Sequence, residues 1–109
     1  VDDAVADLGS RFGLDVVHGV TLDVTDRASV RAALDRAAIR YGGLDSCVNI
    51  AAVFFPPDET GRLDDRLWTK TYEINLVGSF IVADEAARLI RESATSGTLV
   101  LVGSANAVV

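Results

Sequence analysis

Cysteine, histidine and lysine each occur once, as Cys47, His18 and Lys70, and proline occurs twice. A single cysteine forbids an internal disulfide framework, and one thiol with one imidazole is too few for a His/Cys metal centre. No metal site is expected, and the expected compartment is a reducing cytoplasm. No apolar run approaches the roughly 20 residues that span a bilayer. The opening Val1-Asp2-Asp3-Ala4 has neither a basic nor an apolar leader segment, so a secretory signal is not expected. Nine of the ten cations are arginines and they are scattered singly, while the net charge is −6. With no basic stripe to follow a phosphate backbone, nucleic-acid binding is disfavoured. Any chemistry that needs a lysine must use Lys70 or a residue outside these 109.

What is present is globular in composition: half of the residues are apolar and 24% are charged, in a length suited to one domain at most. Val5, Leu8 and Phe12 predict a short helix over 2–12, stopped by Gly13. Val16, Val17, Val20 and Leu22 predict a strand over 15–22. Thr25 or Asp26 can cap a helix over 27–41, whose apolar face is Val30, Ala33, Leu34, Ala37, Ala38 and Tyr41, closed by Gly42-Gly43. A strand follows over 44–52, then the loop of Phe54-Phe55-Pro56-Pro57, where paired prolines bar a helix. A long helix is expected over 64–92, with Leu67, Trp68, Thr71, Tyr72, Asn75, Gly78, Val82, Ala86 and Leu89 on its core stripe. Ser93 to Gly97 reads as a turn, and Thr98 to Val102 as a buried strand. Strands alternating with helices imply an α/β fold with a parallel sheet covered on both faces.

In open α/β sheets ligands bind beyond the carboxyl ends of the strands. Three such ends carry polar groups: Asp23, Asn49 followed by the small Ala51 and Ala52, and Ser104 after Gly103. Asn75 adds a polar side chain to an otherwise apolar helix stripe, where it needs partners or costs about 1–3 kcal/mol. Taken singly, each has a plain structural explanation. Asp23 can hold a turn, Asn49 can bond neighbouring backbone, Ser104 can be a turn serine, and Asn75 with Gly78 can mark a kink. Their convergence on one edge favours a site. His18 and Cys47 read as structural, and Asp58-Glu59 and Asp64-Asp65 as solvated caps.

These segments, in this order, resemble the middle of a short-chain dehydrogenase/reductase, a Rossmann-type oxidoreductase using NAD or NADP. Leu22-Asp23-Val24-Thr25-Asp26 is similar to the family's adenine-side motif, and Leu44 through Ala52 to its D-x-L-V-N-N-A-G strand. Ile74-Asn75-Leu76-Val77-Gly78 resembles its N-L-x-G helix, and Thr98 to Ser104 the strand ending in a catalytic serine. The resemblance implies the third to fifth strands, with their helices, of a doubly wound parallel sheet. It implies that Asp23 accepts from the adenine amine, that Val24 packs on the ring, and that Asn49, Ile50 and Ala51 line the ribose side. It further implies that Asn75 holds a water in a proton relay and that Ser104 orients the substrate's alcohol or carbonyl oxygen.

Four departures qualify it. Ile50 replaces the motif's second Asn, and Ala52 replaces its Gly, placing a methyl where backbone and cofactor approach. No G-x-x-x-G-x-G turn and no Tyr-x-x-x-Lys pair occurs. Residues 1–109 are therefore expected to be a partial dinucleotide-binding domain, cut at both ends, with strands one and two missing between the third and the fourth. Such a piece is expected to be neither stable nor active alone.

The Phe-Phe-Pro-Pro loop and Ser104 through Val109 further resemble the dehydrogenase part of fused sugar-phosphate aldolase/short-chain dehydrogenases. The family implies a homodimer or homotetramer built on the 64–92 helix, whose outer charges are Asp84, Arg88 and Arg91. Two other classes compete with the enzyme: a non-catalytic dinucleotide-binding regulatory module, and a flavodoxin-like signalling domain. Asn75 and Ser104 speak against the first. Lys70, in mid-helix, speaks against the second, which needs a lysine at a strand end.

Overall fold

The computed structural model describes residues 1–93 and 96–104. Helix α1 spans Asp2–Phe12, α2 Arg27–Tyr41, α3 Asp65–Tyr72 and α4 Ser79–Glu92, with strands β1 at Ser46–Asn49 and β2 at Thr98–Leu101. The two strands pair in parallel, Ser46 opposite Thr98 and Asn49 opposite Leu101. The bonds Thr98 N–H to Asp45 O (2.9 Å) and Val102 N–H to Asn49 O (3.0 Å) extend the ladder at both ends. The architecture is α/β, as expected.

Helix α2 starts where Asp26 accepts from the Ala28 amide at 3.0 Å and ends at Gly42, whose φ of 88° suits glycine and turns its N–H back onto Ala38 O. Its buried face, Val30 and Ala33, meets α4, and the core closes around Val30, Ile81 and Val82 with Val24, Leu34 and Cys47 against them. Burial pushes the Cys47 thiol pKa up, which fits a packing role.

Several expectations are corrected. Residues 15–22 form no strand, and among the described residues β1 pairs with β2 alone. The other edge of β1 faces a cleft of about 440 Å³ whose far wall includes Val20, Leu22 and Val24, so the 15–22 backbone has no ladder to join. A strand exists only through its hydrogen-bonding neighbour, and alternation of Val and Leu cannot supply one. His18 is accordingly exposed in an irregular segment rather than set in a strand.

The long helix begins at Asp65, capped by Asp64, and is not uniform. Glu73–Gly78 forms a π turn between α3 and α4, the wider winding often found at functional positions. Trp68 and Tyr72 lie outside the core, at 61% and 53% exposure, because α3 has no element packed against that face. The apolar strand Thr98–Leu101 is exposed along its whole length rather than covered on both faces. The 44–52 strand contracts to four residues. Of the Ser93–Gly97 turn, residues 94 and 95 lie outside the described residues, as do 105–109.

Gly78 has a specific reason to be glycine. A Cβ there would meet Val24 Cγ2 at 2.8 Å, so its absence lets the turn after Leu22 sit directly against the π turn. Among the described residues, no helix is long and apolar enough to cross a membrane.

Candidate active site

The end of β1 supplies Asn49, which is buried at 7% exposure. Its Nδ2 donates to Ser79 Oγ at 2.9 Å, and its Oδ1 accepts the Ala51 amide at 3.4 Å. Ser79 Oγ in turn donates to the Asn75 carbonyl at 2.7 Å. Asn75 grips the backbone of the following loop with both ends of its carboxamide: Oδ1 accepts from Val53 N–H and Nδ2 donates to Val53 O, each at 2.8 Å. The sequence signal at Asn75 was a polar group on an apolar stripe that must find partners, and it finds two on one residue.

This network borders a cavity of about 350 Å³ whose walls include Ile50, Ala51, Asn75, Ser79 and Ser104. Beside it, Val53, Phe54, Asn75 and Ser104 line a second hollow of about 420 Å³. Asn75 and Ser104, far apart in sequence, thus share both spaces. The cleft beside β1 takes in Val24, Asn49, Ile50 and Ala51, so Ile50 and Ala51 form a wall common to the cleft and to the cavity of Ser104.

Asp23 lies at an exposed turn and lines neither space among the described residues. Its Oδ1 accepts from the Thr25 amide (2.9 Å) and the Thr25 hydroxyl (2.7 Å). These bonds, the hydroxyl's first, hold its carboxyl below the usual range. Its own amide donates to Ser29 Oγ at 3.0 Å. The turn-holding role weighed for Asp23 is therefore present. Val24 is half-buried against the core. Asp58 is not a helix cap but holds a turn, its Oδ1 taking Thr60 N–H, Thr60 Oγ and Arg62 N–H, whereas Asp64 caps α3 by taking Arg66 N–H. No cluster able to hold a metal ion occurs among the described residues.

Sequence reasoning missed Ser79 and the backbone of Val53. Ser79 had one available signal, a hydroxyl one helical turn after Asn75 and so within reach of its carbonyl. Val53 had none, because its role is played by main-chain atoms.

The family model for short chain dehydrogenase matches residues 2–109. The chain belongs to that family. Among curated relatives of this dehydrogenase segment, the uncharacterized oxidoreductase YuxG of Bacillus subtilis is 35% identical over 104 residues, covering 94% of this chain and 15% of that protein. D-threitol dehydrogenase of Mycolicibacterium smegmatis is 38% identical, covering 84% of this chain and 35% of the relative. Among solved structures, gox2181 superposes with a TM-score of 0.85 at 28% identity, over 99% of this chain and 41% of the other. Sorbitol-6-phosphate 2-dehydrogenase SrlD from Erwinia amylovora gives 0.82 at 25% identity, over 94% and 40%. The chain therefore spans less than half the length of these relatives.

Proposed function

We propose that the chain is the central part of an NAD(P)-dependent oxidoreductase acting between an alcohol and its carbonyl. The observation that carries this reading is the cavity shared by Asn75, Ser104, Ile50 and Ala51. On the adenosine side, Val24, Asn49, Ile50 and Ala51 border the cleft beside β1, the gap that the missing strands of the complete sheet would occupy, and Asp23, the adenine-amine acceptor of this reading, lies on the exposed turn next to Val24. A bound nicotinamide dinucleotide supplies the carbon that carries the hydride. Residues 49–51 bound the ribose side, largely through backbone.

Ser104 has the hydroxyl that orients the substrate oxygen and stabilises charge developing on it. Asn75 has committed its carboxamide to Val53, so its carbonyl is the atom left to hold a relay water. That carbonyl accepts from Ser79 Oγ at 2.7 Å, and a relay water would share it. The Tyr-Lys pair and the pyrophosphate turn belong, in this reading, to parts of the complete protein outside residues 1–109, and the working site is cytoplasmic. A fused aldolase partner is consistent with a relative of which this segment is 15%.

Polyols are the first substrates to assay, since D-threitol dehydrogenase and sorbitol-6-phosphate 2-dehydrogenase are among the similar proteins. In the complete protein, nicotinamide absorbance should report turnover, and Ser104→Ala should lower kcat about 100-fold or more. Unchanged turnover in that variant refutes the assignment. Dinucleotide binding without turnover of any alcohol or carbonyl would instead identify a regulatory module.

The same reading gives the protein a second copy as partner. Trp68, Tyr72, Leu76 and Phe80 recur every fourth residue from α3 into α4 and are all exposed, an apolar strip suited to pairing. Sedimentation of the complete protein as a monomer would refute it.

A further inference from the structure

The hydroxyl of Ser79 sits at the junction of three segments that bound the cavity of Ser104. It accepts from Asn49 at the end of β1 and donates to the carbonyl of Asn75 in the π turn, and Asn75 in turn holds Val53 in the loop after β1. A serine hydroxyl has one proton. Spending it on Asn75 obliges Ser79 to accept from Asn49, which fixes the amide face Asn49 presents and turns its Oδ1 to Ala51 N–H. The polarity of the bonds from Ala51 through Asn49 and Ser79 to the Asn75 carbonyl thus runs through one hydroxyl.

Ser79 also lies where regular helical winding resumes after the π turn. The change of winding shifts carbonyls out of step with their usual amide donors, and the side chain provides a donor to Asn75 there.

We propose that Ser79 is a positioning residue for the reaction: it sets the Asn75 carbonyl and the 51–53 backbone relative to Ser104 without touching the substrate. This rests on the oxidoreductase reading above. Replacement by alanine leaves the buried Asn49 Nδ2 without its acceptor and the Asn75 carbonyl without this donor, two losses from one change. Threonine keeps the hydroxyl.

The test uses the complete protein with Ser79→Ala and Ser79→Thr, measured by steady-state kinetics and by amide hydrogen exchange at Val53. Ser79→Ala should lower kcat about tenfold, leave KM for the nicotinamide cofactor within about twofold, and speed Val53 exchange by about tenfold. Ser79→Thr should restore both. A purely packing role would lower stability and leave kcat per folded molecule unchanged. If Ser79→Ala does not fold, Ser79→Cys, a weaker donor, must fall between wild type and complete loss in both readouts. The proposal is overturned by wild-type kcat in Ser79→Ala or Ser79→Cys while Ser104→Ala is inactive, or by a folded Ser79→Thr that fails to restore. An active Ser104→Ala would instead overturn the oxidoreductase reading, with Val53 exchange still reporting whether Ser79 holds the loop.

Discussion

The seam between α2 and α4 is buried, whereas two other apolar stretches, one on α3 and one along β2, are exposed. At the seam, Val30 and Ala86 are 1% and 0% exposed, and the apolar floor is fenced by charge. The buried carboxylate of Glu85 takes Arg27 Nη1 on one oxygen and Arg88 Nε on the other, both at 2.9 Å. Arg88 further reaches Asp35 at 2.8 Å and Glu92 at 2.6 Å. It is therefore not the outer, solvent-facing charge expected from the sequence but the hub of the seam. Across the sheet, Leu99 through Val102 stay open, and on α3 so does Trp68. Apolar pattern states what a face is suited to bury, whereas burial needs a second surface of matching shape.

The difference is open to attack by mutation in the complete protein. The largest effect should come from Ile81→Ala, which opens a cavity in the closed core and should cost about 2–4 kcal/mol in urea unfolding. A loss below about 1 kcal/mol would mean the seam is loosely packed.

Arg88→Met should come next, at about 1–3 kcal/mol, because the buried Glu85 loses one of its two charged hydrogen-bond donors. Stability equal to wild type would show that apolar packing replaces the hub without penalty, as happens at some buried ion pairs.

The acid limb sharpens the same point. Arg27 first, and Arg88 second, hold the Glu85 carboxyl below its ordinary value of 4.5. The folded state therefore binds that proton less readily than the unfolded chain. Its stabilisation is complete above the ordinary glutamate range and is lost as pH falls from there through the folded value. Glu85→Gln should flatten this part of the stability profile against pH, and an unchanged slope would assign it to other carboxylates.

The smallest effect belongs to Trp68→Ala. Measured at high dilution, it should change monomer stability by no more than about 0.5 kcal/mol while weakening self-association in sedimentation. A large loss in the monomer would place Trp68 against another part of the same protein.

Local signals made much of this molecule legible. The capping Asp26 and the closing Gly42 bounded α2 in the expected places, and Gly13 ended α1. The apolar periodicity of Val82, Ala86 and Leu89 marked the face that α4 buries. Asn49, Asn75 and Ser104 were visible as polar groups at places where an α/β sheet gathers ligands. The cavity that Asn75 and Ser104 share agrees with that placement, and Asn49 is joined to Asn75 through Ser79.

The sequence by itself determined α1, α2, the neighbourhood of the two paired strands and the polar positions, because caps, glycines and periodicity act within a few residues. Only the tertiary structure decided that 15–22 is not a strand, that Trp68 is outside the core, that Arg88 is inside, and that Ser79 links Asn49 to Asn75. Each of these depends on which surface arrives from elsewhere in the chain. A ladder, a packing partner or a hydrogen-bond acceptor is a property of two segments, and one segment's residues do not specify the other's position.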